Sequence, residues 1–103
     1  MKIVNSKFKM KNKAIEFKNP TLNPDLTELT GFENYFEFIA PQDVEPRDLW
    51  SYIVDQKEFS SKHNDKLYTY KNIRVRNVSS QNVNDKKKIL LLMRCDVIIS
   101  TLK

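Results

Sequence analysis

Glycine occurs once in the 103 residues, at Gly31. That scarcity excludes the glycine-rich loops that lay backbone N–H groups against phosphates, whether of the P-loop or the dinucleotide-binding type. Cysteine also occurs once, at Cys95, so the chain forms no intramolecular disulfide and assembles no cysteine-based zinc site, which agrees with a reducing compartment. The one histidine, His63, lies close to Ser60 and Ser61 but within the polar stretch KHND, and reads as a solvent-exposed turn residue rather than part of a nucleophilic site. Long apolar runs are missing. Ile89–Met93 is an apolar run of five that ends at Arg94, Cys95 and Asp96, against the roughly 20 residues that a membrane-spanning helix requires. The opening MKIVNSKFKMKNK alternates lysine with apolar residues and has no continuous apolar core of a secretory signal. The expectation is a cytoplasmic protein with no membrane association. Asp43, Glu45 and Asp48 fit charge near the start of a helix better than a cation site. No catalytic residues, metal or cofactor are expected, and the chain reads as non-enzymatic.

What is present is apolar, aromatic and unevenly charged. A hydrophobic fraction of 40% with eleven aromatic residues favours a folded chain, and the length suits one domain over 1–103. The formal net charge is +5. Residues 1 to 18 carry six lysines and one acid; residues 19 to 65 carry three basic and ten acidic groups; residues 66 to 103 carry nine basic and two acidic. Basic surface is thus concentrated at both ends of the chain and acidic surface in the middle.

The periodicity predicts an α+β single small domain. Alternation in KFKMKNKAIEFK predicts a hairpin of roughly 2 to 10 with 14 to 18, turning near Lys11 to Lys13. In NPTLNPDLTELTG, Asn23 suits an N-cap, Pro24 the first helical position and Gly31 the C-terminal cap of a short helix. A strand follows over 33 to 40. EPRDLWSYIVDQKEF places Leu49, Trp50, Ile53 and Val54 on one stripe, predicting the main amphipathic helix from about 46 to 59. In ILLLMRCDVII the odd positions from Ile89 to Ile99 are all apolar, which predicts a half-buried strand. Its expected partner is KLYTYKNIRVRNV, with Ile73 and Val75 in the core, Tyr68, Tyr70, Arg74 and Arg76 on the other face, and SSQNVND with the first of the lysines 86 to 88 in the loop. Element order then suggests a winged helix with 66 to 99 as the wing; a small open barrel of five strands is the alternative.

The chemistry left to explain is a basic surface interleaved with aromatics. Lys7, Lys9, Lys11 and Lys13 on the first hairpin, and Lys71, Arg74, Arg76, Lys86, Lys87, Lys88 and Arg94 on the second, are the candidate DNA contacts. Phosphate neutralisation supplies sequence-independent affinity, and Arg74 or Arg76 has the geometry to read guanine edges. Tyr68 and Tyr70 are candidates for stacking on bases. Glu45 and Asp48 in the first turn of the main helix repel phosphate, so the hairpins rather than that helix are expected to carry the contact. The competing reading is that these are solvated outer faces of ordinary strands.

The chain resembles small DNA-binding accessory proteins of Gram-positive conjugative plasmids and integrative elements. Its size, the helix around DLWSYIV and the basic hairpin are similar to winged-helix relaxosome accessory proteins; MKIVN and MRCDVIIST are similar to helicase-accessory proteins. The resemblance, with the winged-helix relaxosome type preferred, implies a role in conjugation or in processing element DNA. Double-stranded DNA is favoured over single-stranded, and a homodimer and a relaxase or other DNA-processing protein are further expected partners. The rival expectation is a protein-interaction module, of the inhibitor or immunity type, that engages a basic partner through the acidic middle segment.

Overall fold

In the computed structural model, which describes residues 1–23 and 25–102, alternation of apolar and polar residues builds strand after strand. The N-terminal segment gives β1 (Lys2–Ile3), β2 (Lys7–Met10) and β3 (Lys13–Lys18). β4 (Glu28–Pro41), helix α1 (Pro46–Gln56) and β5 (Glu58–His63) follow, then the long pair β6 (Lys66–Val83) and β7 (Lys86–Thr101). One seven-stranded mixed sheet holds all the strands, in the order β1-β5-β6-β7-β4-β3-β2, with β1 parallel to β5 and every other neighbour antiparallel.

The sheet curls around its own apolar face. β3 and β5 stand four strand spacings apart in the sheet, about 19 Å if it were flat. Yet the rings of Phe17 and Phe59 meet edge to face at 5.5 Å, and Asn19 Nδ2 donates to Ser61 Oγ at 2.9 Å. The concave side therefore closes on itself as a core of Phe17, Phe36, Phe38, Phe59, Tyr70, Ile89, Leu91 and Met93, all fully buried. α1 adds Leu49 and Ile53 to that core, and its Tyr52 stacks on Phe8 of β2. A tight turn at Asn5 and Ser6 brings β1 and β2, the two edge strands, to a single bridge between Val4 and Lys7, and the sheet stays open.

This architecture replaces the winged helix. A wing is a hairpin projecting from a helical domain, whereas β6 and β7 lie at the centre of the sheet, with β7 paired along both edges, to β6 and β4. The five-stranded barrel is also set aside, by seven strands in an open sheet. The short helix after Asn23 does not form. Asn23 Oδ1 does accept from Asp25 N at 3.0 Å, as a cap would, but the chain then enters β4, where Glu28 pairs with Ile98 and Ile99 N donates to Thr27 O at 2.8 Å. Pro24, expected at the first helical position, lies outside the described residues. α1 ends at Gln56 rather than near 59, because Phe59 is drawn into the core as a residue of β5. The segment SSQNVND is mostly strand, and the turn between β6 and β7 is only Asn84 and Asp85.

Asparagine takes the conformational role that glycine leaves open. Of eight non-glycine residues described with positive φ, five are Asn5, Asn12, Asn64, Asn72 and Asn84. Its short polar side chain tolerates the left-handed region that most side chains avoid.

Candidate nucleic-acid interface

Because the odd residues of β7 point into the core, its even residues define the convex outer face. Register then places side chains in rows across the sheet. Lys7, Glu16, Ile39, Lys88 and Gln81 form one row; Lys18, Glu37, Leu90 and Ser79 the next; then Tyr35, Leu92 and Asn77; then Glu33, Arg94 and Arg74; then Asp96 with Lys71. Lys9 lies on the same face beyond Lys7, and Lys86 joins Lys7, Glu16 and Ile39 around a depression of about 160 Å³. One cationic group, Lys7, Lys9, Lys86 and Lys88, stands near the β6–β7 turn. A second, Arg74, Arg76 and Arg94, stands six residues along β7, a separation of about 20 Å. Tyr35, 49% exposed, lies between them beside Leu90 and Leu92.

The second group is shaped by three interruptions of the ladder. β4 bulges between Leu29 and Phe32, and β6 between Lys71 and Arg74 and again between Val75 and Asn77. Each bulge inserts one extra residue and exchanges the faces of the residues after it. Tyr68 and Tyr70 therefore face inward while Arg74, of the same parity, faces outward. The bulges frame a shallow pocket of about 350 Å³ lined by Thr30, Gly31, Asn72, Arg74, Arg76 and Arg94 together with Cys95 and Asp96. Asp96 is held by two donors, the Asn72 Nδ2 at 2.7 Å and the Gly31 backbone N–H at 3.0 Å. Those bonds, Asn72 first, keep its carboxyl below the ordinary aspartate range. Arg76 Nε reaches Glu33 Oε1 at 3.4 Å. Gly31 sits at φ +69, and a Cβ there would come 3.1 Å from Nη2 of Arg94, so the guanidinium lies directly over the glycine.

Charge is partly neutralised within the first group and beside α1. Lys88 and Lys18 both bind Glu37, at 3.1 and 3.3 Å; partial burial opposes its ionisation, but these two lysines hold its carboxyl below the usual range. Lys11 pairs with Asp48 at 3.8 Å, and Lys13 hydrogen-bonds Asp43, whose pKa falls accordingly.

Of the residues singled out from the sequence, Lys7, Lys9, Lys71, Arg74, Arg76, Lys86, Lys88 and Arg94 share the outer face. Lys11 and Lys13 turn instead to the acids beside α1, and Lys87 donates to the Val44 carbonyl at 3.1 Å. Tyr68 and Tyr70 lie in the core, the latter fully buried with its hydroxyl donating to Asn19 Oδ1 at 2.9 Å, so neither ring is free to stack on a base. The exposed aromatic of this face is Tyr35, which the alternation in ENYFEFIA separates from the inward Phe36 and Phe38. Cys95 is buried, and loss of solvent pushes its thiol pKa up to about 12. Among the described residues, no three His, Cys, Asp or Glu side chains are grouped to hold a metal ion, and no helix is long and apolar enough to cross a membrane. Protein-family models, curated proteins and solved structures yield no match to this chain.

Proposed function

We propose that the protein is a non-enzymatic DNA-binding accessory protein of a mobile genetic element, and that it holds a single strand across the outer face of its sheet. The observation that carries this reading is the placement of two cationic groups on one face with an exposed aromatic between them. Cations spaced along a surface neutralise backbone phosphates, and an aromatic ring beside them offers a platform on which any base can stack. A broad convex sheet has no helix or projecting ribbon to enter a major groove, which favours the single strand over the duplex. The choice of DNA and of a mobile element rests on the resemblance of MKIVN and MRCDVIIST to helicase-accessory proteins.

The test is fluorescence anisotropy of labelled single-stranded and duplex oligonucleotides over a series of salt concentrations. Single-stranded DNA is expected to bind more tightly, with affinity falling linearly in log salt. Lys86→Gln is expected to weaken binding to all sequences alike and to reduce the salt slope by about 1. Removal of the ring in Tyr35→Ala should cost about 1–3 kcal/mol of affinity with the salt slope unchanged. Absence of binding to either oligonucleotide at low salt would overturn the reading.

A further inference from the structure

Arg74 and Arg94 are register partners, directly opposite each other on the outer face of β6 and β7. Like charges in that position, with Cβ atoms about 5 Å apart, destabilise a sheet unless something lies between them. Among the described residues neither guanidinium forms a close ion pair or hydrogen bond, although Arg94 stands opposite Glu33 on β4 and its charge helps to keep Asp96 ionised. The nearby acids are engaged elsewhere: Asp96 accepts from Asn72 and Gly31, and Glu33 meets Arg76. The fold thus brings two cations together and supplies the adjacent carboxylates with other donors.

The space between them suits an anion. Bulges on β4 and β6 open the ladder there, and the missing side chain at Gly31 leaves room for the Arg94 guanidinium over the strand. The pocket of about 350 Å³ accommodates a phosphate group with several waters, each water occupying about 30 Å³ in the liquid. Charge selects the kind of phosphate. The lining of the notch, Arg74, Arg76 and Arg94 against the one carboxylate of Asp96, sums to +2, which a phosphomonoester of about −1.5 to −2 neutralises at neutral pH, whereas a backbone phosphodiester carries a single charge. Each arginine also presents a planar fork that fits two phosphate oxygens.

We propose that the notch formed by the bulges of β4 and β6 against β7 is a discrete phosphomonoester site, with Arg74 and Arg94 donating to the phosphate oxygens. Two sources share that chemistry, the terminal phosphate of a nucleic-acid strand and a small phosphorylated molecule. The first is favoured because the notch opens on the face assigned above to DNA, and in that choice alone the inference rests on the DNA-binding reading.

Two measurements on the full chain test it. In the first, nuclear magnetic resonance follows backbone amides and arginine Nε groups as inorganic phosphate is added, against sodium chloride at equal ionic strength. Saturable shifts at Gly31, Asn72, Arg74 and Arg94 are expected with phosphate and not with chloride. They should vanish in Arg94→Gln and weaken in Arg94→Lys, which keeps the charge but loses the fork, while circular dichroism shows both variants folded. Shifts no larger than those from chloride would overturn the proposal. In the second, oligonucleotides identical except for a 5′-phosphate or a 5′-hydroxyl are compared by anisotropy. The phosphorylated strand should bind roughly tenfold more tightly, an advantage lost in Arg74→Gln. Saturation by free phosphate without any preference for the phosphorylated strand would uphold the site and assign it to a small phosphorylated molecule. Salt-sensitive oligonucleotide binding with no phosphate response in the notch would sink this proposal and leave DNA binding standing. Phosphate in the notch with no oligonucleotide bound would do the reverse.

Discussion

At the scale of single residues, the same chemical type is assigned opposite roles by a shift of one position. Tyr70 and Tyr35 are both tyrosines on central strands, yet one is fully buried and the other 49% exposed. Burial of Tyr70 removes its hydroxyl from water, which raises its pKa and makes the bond to Asn19 Oδ1 its substitute for hydration. Cys95, three strand positions from Leu92 on the outer face, is likewise inward and dry. Its thiol pKa near 12 leaves almost no thiolate at pH 8, and thiolate is the reactive form. Native protein is therefore expected to react with a maleimide or aromatic disulfide reagent far more slowly than protein unfolded in guanidinium, followed by absorbance or mass. Equal rates in the two states would mean that Cys95 is accessible in the native chain.

At the scale of elements, what the sequence disclosed depended on whether alternation ran uninterrupted. β7 was legible from Ile89 to Ile99, because every odd residue there is apolar and no bulge breaks it, but its lysine start, expected in the loop, is already paired strand. The hairpin of β2 and β3 and the segment 33–40 within β4 were legible for the same reason, but the first strand expected from about residue 2 is broken by the turn at Asn5 and Ser6, and Lys2–Ile3 pairs with β5 instead. β6 was not legible. Its alternation is out of step on either side of Asn72 and Ile73, and a count that assumes one parity places Tyr68 and Tyr70 with the arginines. β5 was hidden because Glu58 and Phe59 continue the helical pattern and Ser60, Ser61 and His63 read as a turn. Sheet order was out of reach, since no local pattern in EFSSKH specifies that it pairs with both β1 and β6. The candidate site was half legible: its cations were found, but Tyr35 and the notch depend on rows and bulges. The end of α1 offers a direct test. Lys57 caps it at φ 64 and ψ −40, a conformation strained for a residue with a side chain. Lys57→Gly is expected to stabilise the protein by about 1 kcal/mol, raising Tm by roughly 4–8 °C in a scan of thermal unfolding. An unchanged or lower Tm would show that the cap carries no strain.

At the scale of the whole molecule, the connectivity joins distant parts of the chain. β4 pairs with β3 and with β7, and β1 at the N-terminal edge pairs with β5, so the central sheet cannot be completed from neighbouring hairpins alone. Loops must close before those pairings contribute, and chains dominated by such non-local strand pairing fold in milliseconds to seconds. Stopped-flow refolding followed by Trp50 fluorescence should show its main phase in that range. Completion within microseconds would contradict the long-range pairing. The same curl places β3 against β5 across the core, so the aromatic cluster around Phe17 depends on the whole sheet rather than on any one hairpin.

The use of asparagine in place of glycine gives the molecule a chemical lifetime as well as a shape. A side-chain amide hydrolyses slowly to a carboxylate, and asparagine is among the thermolabile residues for that reason. Hydrolysis at any of the five left-handed asparagines subtracts one unit from a net charge of +5. At Asn72 the product would set a second carboxylate where the amide now donates to Asp96, turning the hydrogen bond that organises the β6 bulge into a repulsion. Ageing at Asn72 would thus be felt beside the arginines of the outer face.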